Sequence, residues 1–294
     1  MAALAEDRAG SRGLGARRSG LATFLLVLYL VYSLLPLFWL VVSATKSNSD
    51  LFSSFGLWFG RQFDFPANLR EVFTYDGGVY VRWLANTAVY AVTSAVGAAF
   101  LATLAGYALA KFEFPGRRVV FAIILGSIMV PQTALVIPIY LLLSKGHLIN
   151  TPLAVILPSL VSPFGVYLMR VYAENSVPDE LLNAARVDGA GELRIFRKVA
   201  LRILAPGFAT VLLFTFVATW NNYFLPLVVL SDPKFYPLTV GLASWNAQAS
   251  ANGGAQVLYT LVITGALVAI IPIIAAFLFL QRYWRSGLTF GSAR

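Results

Sequence analysis

The chain has 294 residues, of which 59% are hydrophobic and only 12% charged, about half the charge expected of a soluble domain. With no cysteine and a single histidine, His147, it excludes disulfides, thiolate or multi-histidine metal centres and cysteine nucleophiles. The net charge of +9 is poor evidence for nucleic-acid binding, because basic residues flanking membrane spans follow from the positive-inside rule alone.

Six apolar runs reach the roughly 20 residues needed to cross a bilayer. They lie at 21–44, 83–110, 119–143, 153–171, 204–230 and 256–280, and predict one all-α membrane domain over 21–280. A tail of residues 1–20 precedes it and a tail of 281–294 follows. The first run follows Arg8, Arg12, Arg17 and Arg18, as a signal peptide would. It is too long for an h-region and has no clear small-residue cleavage site, so it reads as an uncleaved first span. Prolines interrupt several runs, including Pro36, Pro131, Pro158, Pro226 and Pro272. In the second run, Ala95-Val96-Gly97-Ala98-Ala99 and Ala105-Gly106 predict close helix–helix contact.

With the N-terminus inside, sixteen of the 22 Lys and Arg fall on the inner side, which predicts both termini in the cytoplasm. The first outer segment, 45–82, carries Phe52, Phe55, Trp58, Phe59, Phe63, Phe65, Phe73 and Tyr75, the composition of an interfacial aromatic belt. The second, 231–255, contains the polar run Asn246 to Gln256, a candidate for contact with an outer partner.

Between the fourth and fifth runs, residues 178–206 form the one long polar stretch flanked by strongly apolar ones. Pro178, Asp179 and Glu180 suit a helix start, since proline tolerates the first turn and acids favour the positive dipole end. Leu181, Leu182, Ala184, Ala185 and Val187 supply an apolar side. Asp188-Gly189-Ala190-Gly191 predicts a turn. A second helix then carries Ile195, Phe196, Val199 and Ile203 at helical spacing, with Arg194, Arg197, Lys198 and Arg202 facing away. The charge count places this stretch in the cytoplasm.

All 13 acidic residues lie outside the six runs, so no membrane-embedded carboxylate offers itself as a proton carrier. No GxxxxGK[ST] loop exists to hold ATP, and no serine or histidine arrangement suggests a nucleophile and base. An enzyme is therefore not expected. The spans offer uncharged polar groups instead: Trp220, Asn221, Asn222 and Tyr223 in the fifth, with Asn86, Thr87, Gln132 and Thr133 elsewhere. Amides beside aromatic faces suit a hydroxylated solute such as a sugar; equally, they can hold helices together.

Asn183-Ala184-Ala185-Arg186-Val187-Asp188-Gly189-Ala190, followed by Ile195-Phe196, resembles the EAA loop of ABC-importer permeases. That motif reads Glu-Ala-Ala, three residues, Gly, a spacer, Ile, any residue, Leu-Pro. Further pieces are Lys111-Phe112-Glu113-Phe114-Pro115-Gly116, Trp220-Asn221-Asn222-Tyr223, Pro237-Leu238-Thr239-Val240-Gly241-Leu242, and Gln281-Arg282-Tyr283-Trp284-Arg285-Ser286-Gly287-Leu288-Thr289. Together they are similar to the carbohydrate branch, in particular the second permease of maltose-type systems. Two positions depart from the motif: Asn183 replaces the glutamate, and Leu201-Arg202 stands for Leu-Pro.

The resemblance implies a six-helix type I permease fold with a cytoplasmic coupling helix at about 172–203, docking on a separate ATPase. Asn183, Ala184, Ala185, Asp188, Gly189, Ala190, Ile195 and Phe196 are then the coupling residues. Trp220, Asn221, Asn222, Tyr223, Asn86 and Gln132 are the candidates for the substrate path. It further implies a second homologous permease, an ATPase dimer that holds ATP and magnesium, and an extracytoplasmic sugar-binding protein in the plasma (inner) membrane system. This chain itself would carry no cofactor. Alternatives are a permease for another solute, such as glycerol phosphate, or a self-contained secondary carrier.

Overall fold

A computed structural model describes residues 20–251 and 257–288, with the side chains of Val257 and 282–288 outside the description. Both tails, and residues 252–256 of the predicted outer polar run, lie mostly or wholly outside the described residues. Every regular element among the described residues is helical.

The first helix, α1 (Gly20–Ala44), is apolar throughout, yet only Val42, Ser43 and Ala44 are buried. Two short helices, α2 (Asn48–Ser53) and α3 (Phe65–Thr74), then fill the predicted outer segment. Ser47 caps α2 by accepting from the Asp50 N–H at 3.1 Å. Asn68 ties α3 back to the end of α1, its amide donating to the Ala44 and Lys46 carbonyls at 3.0 and 2.9 Å. Asp76, Gly77 and Gly78 all take positive φ and reverse the chain into α4 (Val79–Lys111).

At 33 residues α4 is about 50 Å long, more than the hydrocarbon core of about 30 Å. It is the packing axis. Ala91, Ala95, Ala98, Ala99 and Ala102 are buried along it. A Cβ on Gly106 would fall 2.6 Å from the Met169 Cβ and 2.7 Å from the Arg170 backbone nitrogen, and one on Gly97 would overlap Leu160. The small residues thus let α8 (Pro163–Ser176) lie almost backbone to backbone on α4, as their spacing predicts.

Three predicted spans are broken rather than continuous. The third divides into α5 (Arg117–Ile128) and α6 (Val136–Lys145), bent by 101°. Pro131 lies at this break, where it lacks an N–H and disfavours helix for Val130. The fourth divides into α7 (Leu153–Ser159) and α8, where Pro163 opens the new helix and the Ser162 hydroxyl caps it, accepting from the Gly165 N–H at 3.1 Å. The fifth stops at Trp220, the end of α11 (Leu201–Trp220), and resumes as α12 (Phe224–Val229). Between α8 and α11 come α9 (Asp179–Val187), α10 (Glu192–Ile195) and a π-helical turn, Phe196–Ala200.

Of the polar run Asn246 to Gln256, residues 246–251 belong to a helix: α13 (Leu238–Ala251) packs on α4 and on α14 (Val257–Leu288). Its Trp245 is buried against Tyr80 and Trp83, and an added Cβ on Gly241 would strike the Trp83 ring. These aromatic residues and Trp220 form one core; a second lies under the 178–206 stretch, and a third joins α6, α7 and α12.

The helical hairpin and the polar break

The hairpin begins where Val177, buried, ends α8 and Pro178 turns the chain. Asp179 sits in the first turn of α9, and its carboxylate accepts from the Lys111 ammonium at 2.8 Å. Lys111 is the last residue of α4, so this pair fixes the hairpin to the packing axis. The turn after α9 has the hydrogen bonds of a Schellman motif. The Gly189 N–H donates to the Arg186 carbonyl and the Ala190 N–H to the Ala185 carbonyl, both at 3.0 Å. Gly189 has φ +76°, and a Cβ there would meet nothing within 4 Å. Its requirement is conformational, not spatial.

Arg186 closes the turn from outside. It donates to the Glu192 carboxylate at 2.6 and 3.3 Å and to the Asn183 side-chain oxygen at 2.8 Å. Asn183 therefore fixes Arg186 as a neutral acceptor where the family motif has a glutamate. The hydrogen bond from Arg186 holds the Glu192 carboxyl below its ordinary pKa. Both groups are exposed, so solvent screens the interaction.

Beneath the turn, Leu182, Ile195 and Phe196 are buried with Tyr107, Met169 and Leu204. Ile195 and Phe196, predicted as coupling residues, face this interior and anchor the hairpin rather than lining its outer surface. Arg194, Arg197, Lys198 and Arg202 are exposed, as their spacing predicts. The predicted apolar side of α9 is divided. Leu182 is 1% exposed, whereas Val187 is 88% and Leu181 48% exposed, and Leu193 beyond the turn is 69% exposed. Ala184 and Asp188 are exposed, and Ala185 and Ala190 half-buried. These exposed apolar side chains, the crown of the hairpin, thus contrast with its buried anchor.

No break separates the hairpin's second arm from the fifth span. Residues Glu192–Trp220 run as one helix of 29 residues, through the π-helical turn. The sequence reading missed the anchor's floor: Tyr107 and Met169 come from α4 and α8, and no local pattern reports such partners. Lys111 was legible as the first residue of a recognised motif, though not its ion pair.

The predicted substrate-path residues differ in exposure and in hydrogen bonding. Trp220 is buried, and its indole N–H donates to the Ala269 carbonyl of α14 at 3.1 Å. Asn221 is exposed at the α11–α12 break, its amide donating to the Val217 carbonyl at 2.8 Å. Asn222 is half-buried beside it, its carbonyl accepting from Thr239, and Tyr223 is 42% exposed. Gln132 is exposed at the α5–α6 bend, as is Thr133. Asn86 is half-buried on α4. With Trp83, Thr87 and Tyr90 it makes a stripe on α4 at i, i+3, i+4 and i+7 that holds the chain entering α13. Trp83, Asn86 and Tyr90 donate to the carbonyls of Pro233, Lys234, Phe235 and Tyr236, and the Thr87 hydroxyl accepts from the Leu238 N–H at 2.7 Å.

Residues 98–288 match the family of binding-protein-dependent transport system inner membrane components. The chain is 33% identical to the arabinooligosaccharides transport system permease protein AraQ of Bacillus subtilis over 94% of its own length and 96% of the relative's. It is 27% identical to the diacetylchitobiose uptake system permease protein NgcG of Streptomyces coelicolor (95% and 90% covered). Its fold matches a chain from a bacterial ABC transporter involved in the import of the acidic polysaccharide alginate, with a TM-score of 0.76, 24% identity, and 90% and 95% coverage. The broken spans, the anchored hairpin and these likenesses agree: the chain belongs to the binding-protein-dependent transport system inner membrane components, as a multi-pass permease subunit of an ABC transporter.

Proposed function

We propose that this chain is one of two permease subunits of a sugar importer, with ATP hydrolysed in a separate subunit. The observation that carries the reading is the hairpin, a rigid, internally bonded element with its anchor buried and its apolar crown uncovered. Such a crown suits a groove in a cytoplasmic ATPase, where ATP and magnesium would be held. The charge bias supports that orientation, with both termini and the hairpin in the cytoplasm. A second, homologous permease would complete the pore, and an extracytoplasmic binding protein would deliver the sugar at the opposite face. The relatives named for arabinooligosaccharides and diacetylchitobiose support an oligosaccharide or disaccharide as the solute.

Closure of the ATPase dimer would press on the crown, and the unbroken Glu192–Trp220 helix would carry the displacement to the break at Asn221–Tyr223. There the Asn221 and Asn222 amides and Tyr223 would offer hydrogen-bond and stacking partners to a sugar. The test is ATPase stimulation in the reconstituted complex across a panel of sugar-loaded binding proteins. Gly189→Val forces a β-branched residue into the left-handed region and distorts the turn. It should leave the complex assembled in the membrane while abolishing stimulation, and undiminished stimulation would reject the hairpin's role.

A further inference from the structure

Helix α5 has no buried residue, and over 118–128 only Phe121, Ile124 and Ser127 are even half-buried. The helix it packs on is α8. Both of its ends can bend: Gly116 before it takes φ +84° in open space, and 101° separates it from α6. α8 is fixed by comparison, its Met169 fully buried and its backbone pressed on α4 at Gly106.

Phe121 is the ring through which α5 meets α8. The Arg170 guanidinium carbon lies 3.7 Å from its centre. Tyr167 stacks on it as well, with ring centres 6.3 Å apart and planes inclined by 20°. The Arg170 side chain is only 19% exposed, which strengthens a cation–π contact. In this position, however, Arg170 goes without good polar partners. Its Nε is buried and has no hydrogen-bond acceptor. Its Nη2 lies 3.9 Å from the Glu174 Oε2, beyond hydrogen-bond reach. Glu174 stands one turn further along α8 with its side chain 56% exposed. Rotation of Arg170 toward it would allow a bidentate pair and bring Nε to an acceptor or to water, while taking the cation off the ring.

We infer that Arg170 is a two-position latch for α5. On Phe121 it holds α5 against α8; on Glu174 it lets α5 swing away at the end of the bundle that carries the hairpin. Each position supplies what the other lacks: a partly desolvated cation–π contact in one, a solvated ion pair in the other. Arg170 lies about two turns before Val177, where α8 enters the hairpin, so a displacement of the hairpin passes into the helix that bears the latch. The latch rests on these contacts alone, and its test needs neither a sugar nor an ATPase.

The chain has no cysteine, so spin labels can be placed without background. Labels at Ile123→Cys on α5 and Val96→Cys on α4, both exposed, report the position of α5 in the full-length protein in lipid nanodiscs. Pulsed electron resonance should show a major short distance and a minor long one. Phe121→Leu keeps an apolar side chain but has no ring face, and should raise the long-to-short ratio about fivefold or more. Phe121→Trp restores a ring face and should keep the parent ratio, an outcome that loss of packing alone does not give. Glu174→Gln weakens the second position and should lower the ratio about twofold. A parent with a single distance would overturn the latch. So would a ratio unchanged in Phe121→Leu, raised equally in Phe121→Trp, or not lowered in Glu174→Gln.

Discussion

Helices α1 and α4 are both apolar enough to cross a membrane, yet they do opposite work. α1 is built from Leu, Val, Tyr and Phe and is buried at only three residues. α4 carries Ala and Gly along its length and is covered by α8, α11 and α13. Lipid tails are as apolar as leucine, so large side chains gain little by exchanging lipid for protein. Small ones allow backbones to approach, and that close contact is where association energy arises. Hydropathy therefore decides that both helices sit in the membrane, and side-chain size decides which is the core. The same division recurs in miniature on α9, between Leu182 inside and Val187 outside.

The contrast is open to direct tests. Gly106→Leu should be the most damaging change, because its Cβ would meet Met169 and the Arg170 backbone and must push α8 from α4. A loss of about 3 kcal/mol or more is expected, read by denaturant unfolding in mixed micelles. Leu182→Ala should cost about 2–4 kcal/mol by leaving a cavity under the hairpin, with hydrogen exchange rising across 179–196. The Arg186–Glu192 clamp should be weaker than either and should depend on pH. The folded pKa of Glu192 is depressed, so the clamp's contribution is complete above the ordinary glutamate range and disappears as pH falls through the lower folded value. Hydrogen exchange at the turn should therefore rise in acid, and Glu192→Gln should remove that dependence. Leu28→Ala on α1 should change stability by less than about 0.5 kcal/mol. A large loss there, measured in the isolated chain, would break the comparison.

Much of this organisation was legible in the sequence because it is local. Pro178, Asp188-Gly189 and the arginine spacing mark the hairpin, and the Ala/Gly stripe marks the α4–α8 contact. What escaped is non-local or hidden by uniform hydropathy. Pro131, Gln132 and Thr133 mark an interruption of the third run, but a proline kink within a span is tolerated, so nothing there reports a bend as large as 101°. Asn246, Gln248 and Ser250 stood out only as part of an outer polar run, and Trp245 and Gly241, which bury one side of α13, gave no local sign of it. Asn86 admitted both a solute and a helix-holding reading, and its hydrogen bonds were hidden because the carbonyls it binds lie some 150 positions along the chain. Ile195 and Phe196 were placed on the side away from the arginines, but only the packing names Tyr107, Met169 and Leu204 as their partners.

The 29-residue helix Glu192–Trp220 also sets a scale for movement. At 1.5 Å per residue it is a rod about 43 Å long, so a tilt of about 10° at one end displaces the other by roughly 7 Å. That is comparable to the width of a sugar ring, and it requires no rearrangement inside the rod. If the hairpin couples to an ATPase as proposed, amplification would be a matter of length. A turn inserted or removed between Glu192 and Trp220 would alter the stroke and rotate the Asn221–Tyr223 face about the rod's axis, even with every contact at the two ends preserved.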